Sequence, residues 1–452
     1  MASHNVVVIP YPSQGHVNPL MHLCQSFAKQ GIKSTVVNTE FVHAKMVKAM
    51  GDKIESVLGS RIELVAVPDG FGPDESRDNI ERLFVDIMNN LQFEFEKLLP
   101  KMNSEIAGGI ACVIVDLSMA WILEITEKLG IRGAIFSPFT AAHSVLNISI
   151  NKLIEDGIID AEGVPMQGAR IQLKPGMPYM RTRDLPWMCV PIKKSQRILF
   201  EHLVRIQRGY ELSKWCLFNS AYELEPESVS FHPKILPVGP LMASEAGQFW
   251  KEDASCLEWL DQQPPSSVIY LAFGSFTDFS GAQFEELAMG LELTGRPFLW
   301  VVRPGTEQKL PAGFRGRKAK IIGWAPQQKV LRHPSVGCFL SHCGWNSILE
   351  GVSNGLPFLC WPYVGDQHFN MSYVDDIWKV GLGFDRDEKG TVSRWEIKKK
   401  VEQLLGDPSF RARSAQLQQL VRNSVKPEGL SSINVDKFVR WVKEEGQNEA
   451  VV

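Results

Sequence analysis

Residues 324–367 read WAPQQKVLRHPSVGCFLSHCGWNSILEGVSNGLPFLCWPYVGDQ, and the middle of that stretch decides the fold. An apolar run at 338–340 has the length of a buried strand, and the polar residues His342, Asn346 and Ser347 follow with Gly344 among them. Leu349 and Val352 then recur at helical spacing before a second apolar run at 358–359. Strand, helix and strand in that order predict a βαβ unit with its two strands parallel. The loop sets backbone N–H groups and small polar side chains at a helix N-terminus, where the aligned peptide dipoles favour negative charge, so it is a ready pyrophosphate site. Gly344 lets the backbone approach such a ligand, and His342, Asn346 and Ser347 can donate to its oxygens. An Asn-Ser pair opening a helix is more often a simple cap when it stands alone.

The same alternation extends in both directions. Strand-like runs at 268–273, 298–302 and 319–322 precede the quoted stretch, with Ser280 and Gln283 spaced as a capping box before the helix between the first two. In the N-terminal half the β-branched run at 6–9 leads into a loop with Pro12 and Gly15, then Leu20, Leu23, Cys24 and Phe27 at helical spacing. There Asn18 and Pro19 suit N-cap and first helical position, and Gly31 the stop. Further strands are expected at 35–37, 112–115 and 133–136. Between the two series the pattern lapses near 236–252. At 452 residues the chain is about three times a typical single domain. The expectation is an α/β protein of two doubly wound, Rossmann-like parallel-sheet domains: 1–240, a linker at 241–252, and 253–430. Val435, Phe438, Val439 and Val442 mark an amphipathic helix, about 430–452, that is expected to pack back on the first domain. Open sheets of this kind bind ligands beyond the carboxyl ends of their strands, so a cleft between the domains is the default site.

Composition excludes several functions. Hydrophobic residues make up 44% and charged residues 22%, the balance of a globular protein. Lys and Arg total 48 against 51 Asp and Glu, a net charge of -3 that lacks the basic footprint of a nucleic-acid binder. No apolar run approaches the roughly 20 residues that cross a bilayer, and the first strand begins too soon after Met1 to leave room for a secretory leader. Eight cysteines without a CxxC pair fit neither a disulfide framework nor a zinc ribbon, so a reducing, cytoplasmic setting is expected, and the sequons at Asn147 and Asn370 are expected to stay unmodified. There is no GxGxxG after the first strand, no GxxxxGK[ST] and no HExxH, which removes support for a dinucleotide oxidoreductase, a P-loop NTPase and a zincin.

The quoted stretch resembles the signature box of the plant secondary-product glycosyltransferases, members of the family 1 UDP-glycosyltransferases. Its leading Trp, HxxxG, HCGWNS, the Glu three residues later, GLP and the closing Asp-Gln all stand at the family's spacing. The resemblance extends to Pro12-Ser13-Gln14-Gly15-His16 and to Phe273-Gly274-Ser275, so it covers nearly the whole chain. Ser13, Ile348 and Leu356 depart from the commonest wording without removing a functional group. The resemblance implies a GT-B fold, two Rossmann-like domains facing across a cleft, and an inverting transfer from UDP-glucose as co-substrate, with no cofactor or metal. It implies that Trp324 stacks on the uracil, with Ala325 beside it and Gln327 on the uridine, while Glu350 accepts from the ribose hydroxyls. It further implies that Ser275, His342, Gly344, Asn346 and Ser347 hold the pyrophosphate, and Trp345, Asp366 and Gln367 the sugar. The closing Gln367 favours glucose over galactose.

His16 is the candidate general base, since imidazole is the side chain that ordinarily titrates between pH 5 and 8. Asp116, at the carboxyl end of another strand, matches the family's acid that steadies the imidazolium. Candidate acceptor-pocket residues are Phe71, Phe139, Thr140, Trp187, Phe200 and Tyr363, a set that suits a flat or apolar aglycone. The expected partners are a UDP-sugar and a small hydrophobic acceptor (phenolic, flavonoid or terpenoid), with the protein a monomer. Asp385-Arg386-Asp387 spells DxD but sits in a charged stretch expected to be a surface turn. Two readings compete with transfer: a UDP-sugar-binding protein without catalysis, and a UDP-sugar epimerase.

Overall fold

A computed structural model describes residues 4–72, 75, 77, 79–242, 250, 252–274, 279–302, 310–311 and 313–444. The strands, in chain order, are β1 Asn5–Ile9, β2 Lys33–Thr39, β3 Ile62–Val67, β4 Cys112–Asp116, β5 Gly133–Ser137, β6 Arg170–Ile171, β7 Met180–Arg181, β8 Trp215–Phe218, β9 Ile235–Pro237, β10 Val268–Ala272, β11 Phe298–Val301, β12 Ala319–Ile322, β13 Val336–Ser341, β14 Phe358–Cys360 and β15 Gly381–Gly383. Among the described residues they form a seven-stranded sheet ordered β3-β2-β1-β4-β5-β8-β9, a six-stranded sheet ordered β12-β11-β10-β13-β14-β15, and a small antiparallel β6-β7 pair. Every ladder in the two large sheets is parallel. Central parallel strands are covered on both faces, which is why β1, β4, β10 and β13 are buried along their length and read as apolar runs broken only by a polar residue at an end.

Each large sheet reverses its strand order once. β1 pairs with β2 on one side and β4 on the other, in register from Val6 opposite Cys112 to Ile9 opposite Val115. In the second sheet β10 lies between β11 and β13 in the same way. Connections leave such a strand pair in opposite directions, so the backbone opens at the carboxyl ends of β1 and β4 and of β10 and β13. The residues that follow those four strands are therefore the ones the topology presents to a ligand.

The chain divides into two compact units. The first comprises Met1–Ala169, Val190–Trp250 and Ser424–Val452, and the second Arg170–Cys189 and Lys251–Asn423. Residues 170–189, expected within the first domain, thus cluster with the second: β7 lies by the helix Gln367–Ser372, and the Cys189 thiol donates to the Gly365 carbonyl at 3.6 Å. The helix Leu430–Lys443 completes the first unit. Its Val435, Phe438, Val439 and Val442 join the core of Val6, Val8, Leu23 and Phe27, and Phe438 stacks on Phe27 at 5.7 Å between ring centres. Arg132 donates to the carbonyls of Trp441 and Val442 at the end of that helix, where cations are favoured.

Two local expectations change. The first helix, α1, spans Gln14–Lys29, so Ser13 and not Asn18 is its N-cap, and Pro19 lies inside it. The Ser13 carbonyl receives the N–H groups of both His16 and Val17, closing the first turn earlier than the proline signal indicated. His16 consequently sits in a helix and not in a loop. At the helix Gly281–Leu293, Ser280 does cap the Gln283 N–H. The Gln283 side chain does not return to it, because both ends of its amide bond the backbone of Val392.

Removing the Phe438 ring should cost about 3–5 kcal/mol, as for large aromatic cores generally. Calorimetry on Phe438→Ala is expected to show the first unit melting earlier while the second unit's transition stays in place.

Candidate active site

In the first unit, β1 and β4 deliver two side chains to one point. His16 Nδ1 donates to Asp116 Oδ2 at 2.8 Å. Asp116 is fully buried, and its other oxygen accepts the Ser118 N–H at 2.8 Å, so the carboxylate is fixed by capping the turn Leu117–Ile122. A carboxylate only accepts, so Nδ1 carries the proton and Nε2 is left with its lone pair. That is the tautomer a general base needs. The His16 side chain is 16% exposed, enough for a substrate atom to reach it.

Aromatic rings surround this imidazole. Tyr11 lies 4.9 Å from it and Phe139 meets it edge-on at 5.1 Å. Phe84 stacks on Tyr11 and His143 on Phe139, and His202 meets Phe84 edge-on. Burial, then the nearby His16, push His143 down to about 4. Burial, then Arg205 and His16, push His202 down to about 3, so both rings are neutral at physiological pH. Of the expected acceptor residues, Phe139 is in this group. Thr140 is fully buried and caps the helix Ala141–Ile148, accepting the His143 N–H at 3.0 Å. Phe71 stands instead with Arg77 and Arg82, beside the buried Asp69–Arg77 pair. Phe200 packs on Gly163 and lines a small surface cleft with Glu162, Arg197 and Val204. Two residues on along that helix, His202 points to a different side and joins the rings near His16. Trp187, 1% exposed, and Tyr363 both belong to the second unit. Tyr11, Phe84, His143 and His202 were not expected, and only Tyr11, two residues beyond β1, carried a positional signal.

In the second unit the loop after β13 takes an unusual path. Cys343 adopts a left-handed φ of 66°, a strained conformation for a residue with a Cβ, and Gly344 then caps the helix Trp345–Ser353. The His342 imidazole is slotted between two glycines: a Cβ on Gly344 would lie 2.4 Å from its Nε2, and one on Gly274 2.9 Å. Gly274 also needs its positive φ of 68°. Burial pushes His342 down to about 4, so it is neutral, and its Nδ1 is buried with no partner within the protein. An unsatisfied nitrogen beside a helix N-terminus fits a phosphate oxygen or hydroxyl as its partner. Ser275 lies outside the described residues. Asn370 bridges the loop to the next helix, donating to the Cys343 carbonyl at 3.0 Å and to Asp366 at 2.8 Å. This buried amide, seen at first only as part of a sequon, positions Asp366. Gln367 receives the N–H groups of Tyr363 and Val364 on Oε1, which leaves its NH2 directed to donate.

The residues expected to hold the uridine form a network of their own. The Tyr270 hydroxyl donates to Gln327 Oε1 at 2.9 Å, and Gln327 Nε2 donates to Glu350 and to Ser347. Gln328 also donates to Glu350, at 3.5 Å. Gln327 therefore acts on Glu350 and Ser347 and braces them. Trp324 is half-buried with its carbonyl receiving the Asp253 N–H, and Ala325 beside it is buried. The Trp345 ring is buried against Tyr373 and Trp378, so its offer to a ligand is the backbone N–H of the first helical turn; Asn346 is partly exposed beside it. Asp385 is tied to Lys400 and Asp387 closes a turn onto Lys389 and Thr391, while no group of three His, Cys, Asp or Glu side chains among the described residues could hold a metal.

The family model for UDP-glucoronosyl and UDP-glucosyl transferases matches residues 208–442. UDP-glycosyltransferase 83A1 of Arabidopsis thaliana is 42% identical over 98% of this chain and 97% of its own. The chain belongs to the plant family 1 UDP-glycosyltransferases. Linamarin synthase 1 of Manihot esculenta is 32% identical, covering 97% of this glycosyltransferase and 96% of itself. Among solved structures, Os79 from O. sativa in complex with UDP superposes with a TM-score of 0.82 at 25% identity over 97% of this chain and 100% of that one. UGT2 of Phytolacca americana, complexed with UDP-2fluoro-glucose and pterostilbene, gives 0.80 at 26% identity over 97% and 99%. The two Rossmann-like sheets are thus those of a GT-B glycosyltransferase.

Burial pushes the Glu350 carboxyl of this glycosyltransferase up to about 7, against the two glutamine donors that favour its charge. A raised folded pKa stabilises the protein fully below the unfolded value near 4.5, and that contribution is lost as pH rises to about 7. Glu350→Gln removes the titration. Its melting temperature relative to the parent is expected to be higher at pH 8 than at pH 5.

Proposed function

We propose that the enzyme transfers glucose from UDP-glucose to a hydroxyl of a small plant metabolite, a phenolic, flavonoid or terpenoid, with inversion at the anomeric carbon. The observation that carries this reading is the His16–Asp116 pair, with Nε2 as the free base and the carboxylate immobilised by Ser118. The acceptor hydroxyl gives its proton to His16 Nε2 as its oxygen attacks C1 of the sugar. The bond between C1 and the diphosphate oxygen breaks, and UDP leaves with the electron pair. Asp116 stabilises the imidazolium that forms. The glycosidic bond forms on the face opposite the departing UDP, so no covalent sugar-enzyme intermediate is required.

The second unit binds the donor. The helix Trp345–Ser353 directs its N-terminal N–H groups, with His342, Asn346 and Ser347, at the diphosphate, where they stabilise charge on the leaving group without a metal. Trp324 stacks on the base, and Glu350, held by Gln327 and Gln328, accepts from the ribose hydroxyls. The Gln367 NH2 and Asp366 hold the glucose hydroxyls. Two related enzymes of Catharanthus roseus carry the name 7-deoxyloganetic acid glucosyltransferase, which supports glucose as the sugar. Phytolacca UGT2 binds a fluorinated UDP-glucose and a stilbene together, which supports the same substrate pairing here. The eight free cysteines suit a reducing cytoplasm, no described helix could cross a membrane, and each proposed group comes from one chain, as in a monomer.

His16→Ala should lower kcat by about 100- to 10,000-fold while UDP binding, measured by calorimetry, is unchanged. Asp116→Asn should fall within the same range, because an amide no longer enforces the Nδ1–H tautomer. Transfer persisting at near-parental rate in His16→Ala removes the base assignment. Proton NMR of the first-formed glucoside should show the β anomer. Ribose donors favour the ionised form of Glu350, so UDP affinity is expected to rise more steeply from pH 6 to pH 8 in the parent than in Glu350→Gln, where only the terminal phosphate of UDP still titrates.

A further inference from the structure

We propose that Tyr11, His143 and His202 select the acceptor by hydrogen-bonding a second hydroxyl, so that the preferred substrates are aromatics carrying at least one hydroxyl beyond the one that receives the sugar. The inference rests on the glycosyl-transfer reading above and narrows its acceptor class.

Three buried polar atoms near His16 carry it. The Tyr11 hydroxyl, His143 Nδ1 and His202 Nε2 are each buried and each lacks a hydrogen-bond partner within the protein. Tyr11 is 6% exposed, His143 5% and His202 8%. Their positions are linked through rings. Tyr11 touches the His16 imidazole, His143 stacks on the Phe139 that meets His16 edge-on, and His202 meets the Phe84 that stacks on Tyr11. Buried polar groups in folded proteins ordinarily have partners. Other unpartnered side-chain atoms occur among the described residues, and what sets these three apart is their linkage through rings to one proposed base.

The chemistry of the three groups defines what they bind. Burial raises the Tyr11 phenol, with Asp116 adding to it, and lowers both histidines, so all three are neutral. A phenol and a neutral imidazole each donate or accept, the pattern that complements a hydroxyl. A carboxylate or phosphate would call for a cation. Arg205, the cation that acts on His202, is exposed, lies over Trp121 and donates to Gln92. The flat faces of Phe84 and Phe139 supply the apolar contact for an aromatic ring. An acceptor without a second polar group would leave the three atoms unsatisfied, and sites built to bond a hydroxyl discriminate strongly against analogues that lack it.

The test uses the full chain with UDP-glucose and compares 2-naphthol with the isomeric dihydroxynaphthalenes. The parent is expected to favour the best diol in kcat/KM by at least about tenfold. His143→Phe and His202→Phe keep a ring in place and should raise KM for that diol by about 10- to 100-fold, leaving 2-naphthol within about threefold. Tyr11→Phe should act in the same direction. His143→Gln and His202→Gln, which still donate and accept, should recover part of the preference, and they serve as the test if a Phe variant melts early. Equal turnover of both acceptors by the parent, or equal losses on both in the variants, overturns the proposal. Calorimetric binding of the same compounds separates the two readings: diol preference in binding without any glucoside product removes the transfer reading, whereas glucoside formation without diol preference removes only the selection.

Discussion

The pairing of one central strand with neighbours on both sides sets everything else in this molecule. Once β1 is hydrogen-bonded to β2 and β4, and β10 to β11 and β13, each sheet opens beyond the carboxyl ends of those strands. His16 and Asp116 occupy the first opening, and Gly274 and His342–Ser347 the second. The same solution is used twice, with different chemistry grafted on each copy.

The two copies differ in how they handle charge. The first concentrates it: a fully buried carboxylate is held by one backbone N–H and one imidazole, which fixes a tautomer more firmly than an exposed pair would. The second disperses it, offering an anion the N-terminus of a helix with the neutral His342 and Ser347, in a loop braced by the amides of Gln327 and Asn370. On the proposed reading, a chain with net charge -3 recognises a diphosphate through local dipoles at short range and needs no basic field at long range.

Much of this was legible in the sequence, for physical reasons. Parallel strands buried on both faces are mostly apolar, so β1, β4, β10 and β13 announce themselves, and the residues just beyond them follow by counting. The HCGWNS loop was visible because a glycine-bearing polar turn between strand and helix has few other uses. What escaped was whatever depends on packing at a distance. Pro19 pointed to a later helix start, yet the Ser13 carbonyl closed the turn first and brought His16 into α1. Thr140 reads as a ligand contact and serves as a cap, and Trp187 reads with its sequence neighbours but folds with the second unit. His143 and His202 had no local signature at all, because only the packing of two helices against Tyr11 and Phe139 brings them near His16.

The helix Leu430–Lys443 supplies four core residues to a unit whose other strands are all complete by Pro237. During synthesis the first unit therefore waits, with Phe27 and Trp215 uncovered, while the ribosome makes residues 251–423 of the second unit. The second unit is in effect a long insertion in the first, bounded by segments that must rejoin. No single cut yields two finished halves, and the nascent chain is most exposed to chaperones, and to misassembly, in the interval before its last helix emerges.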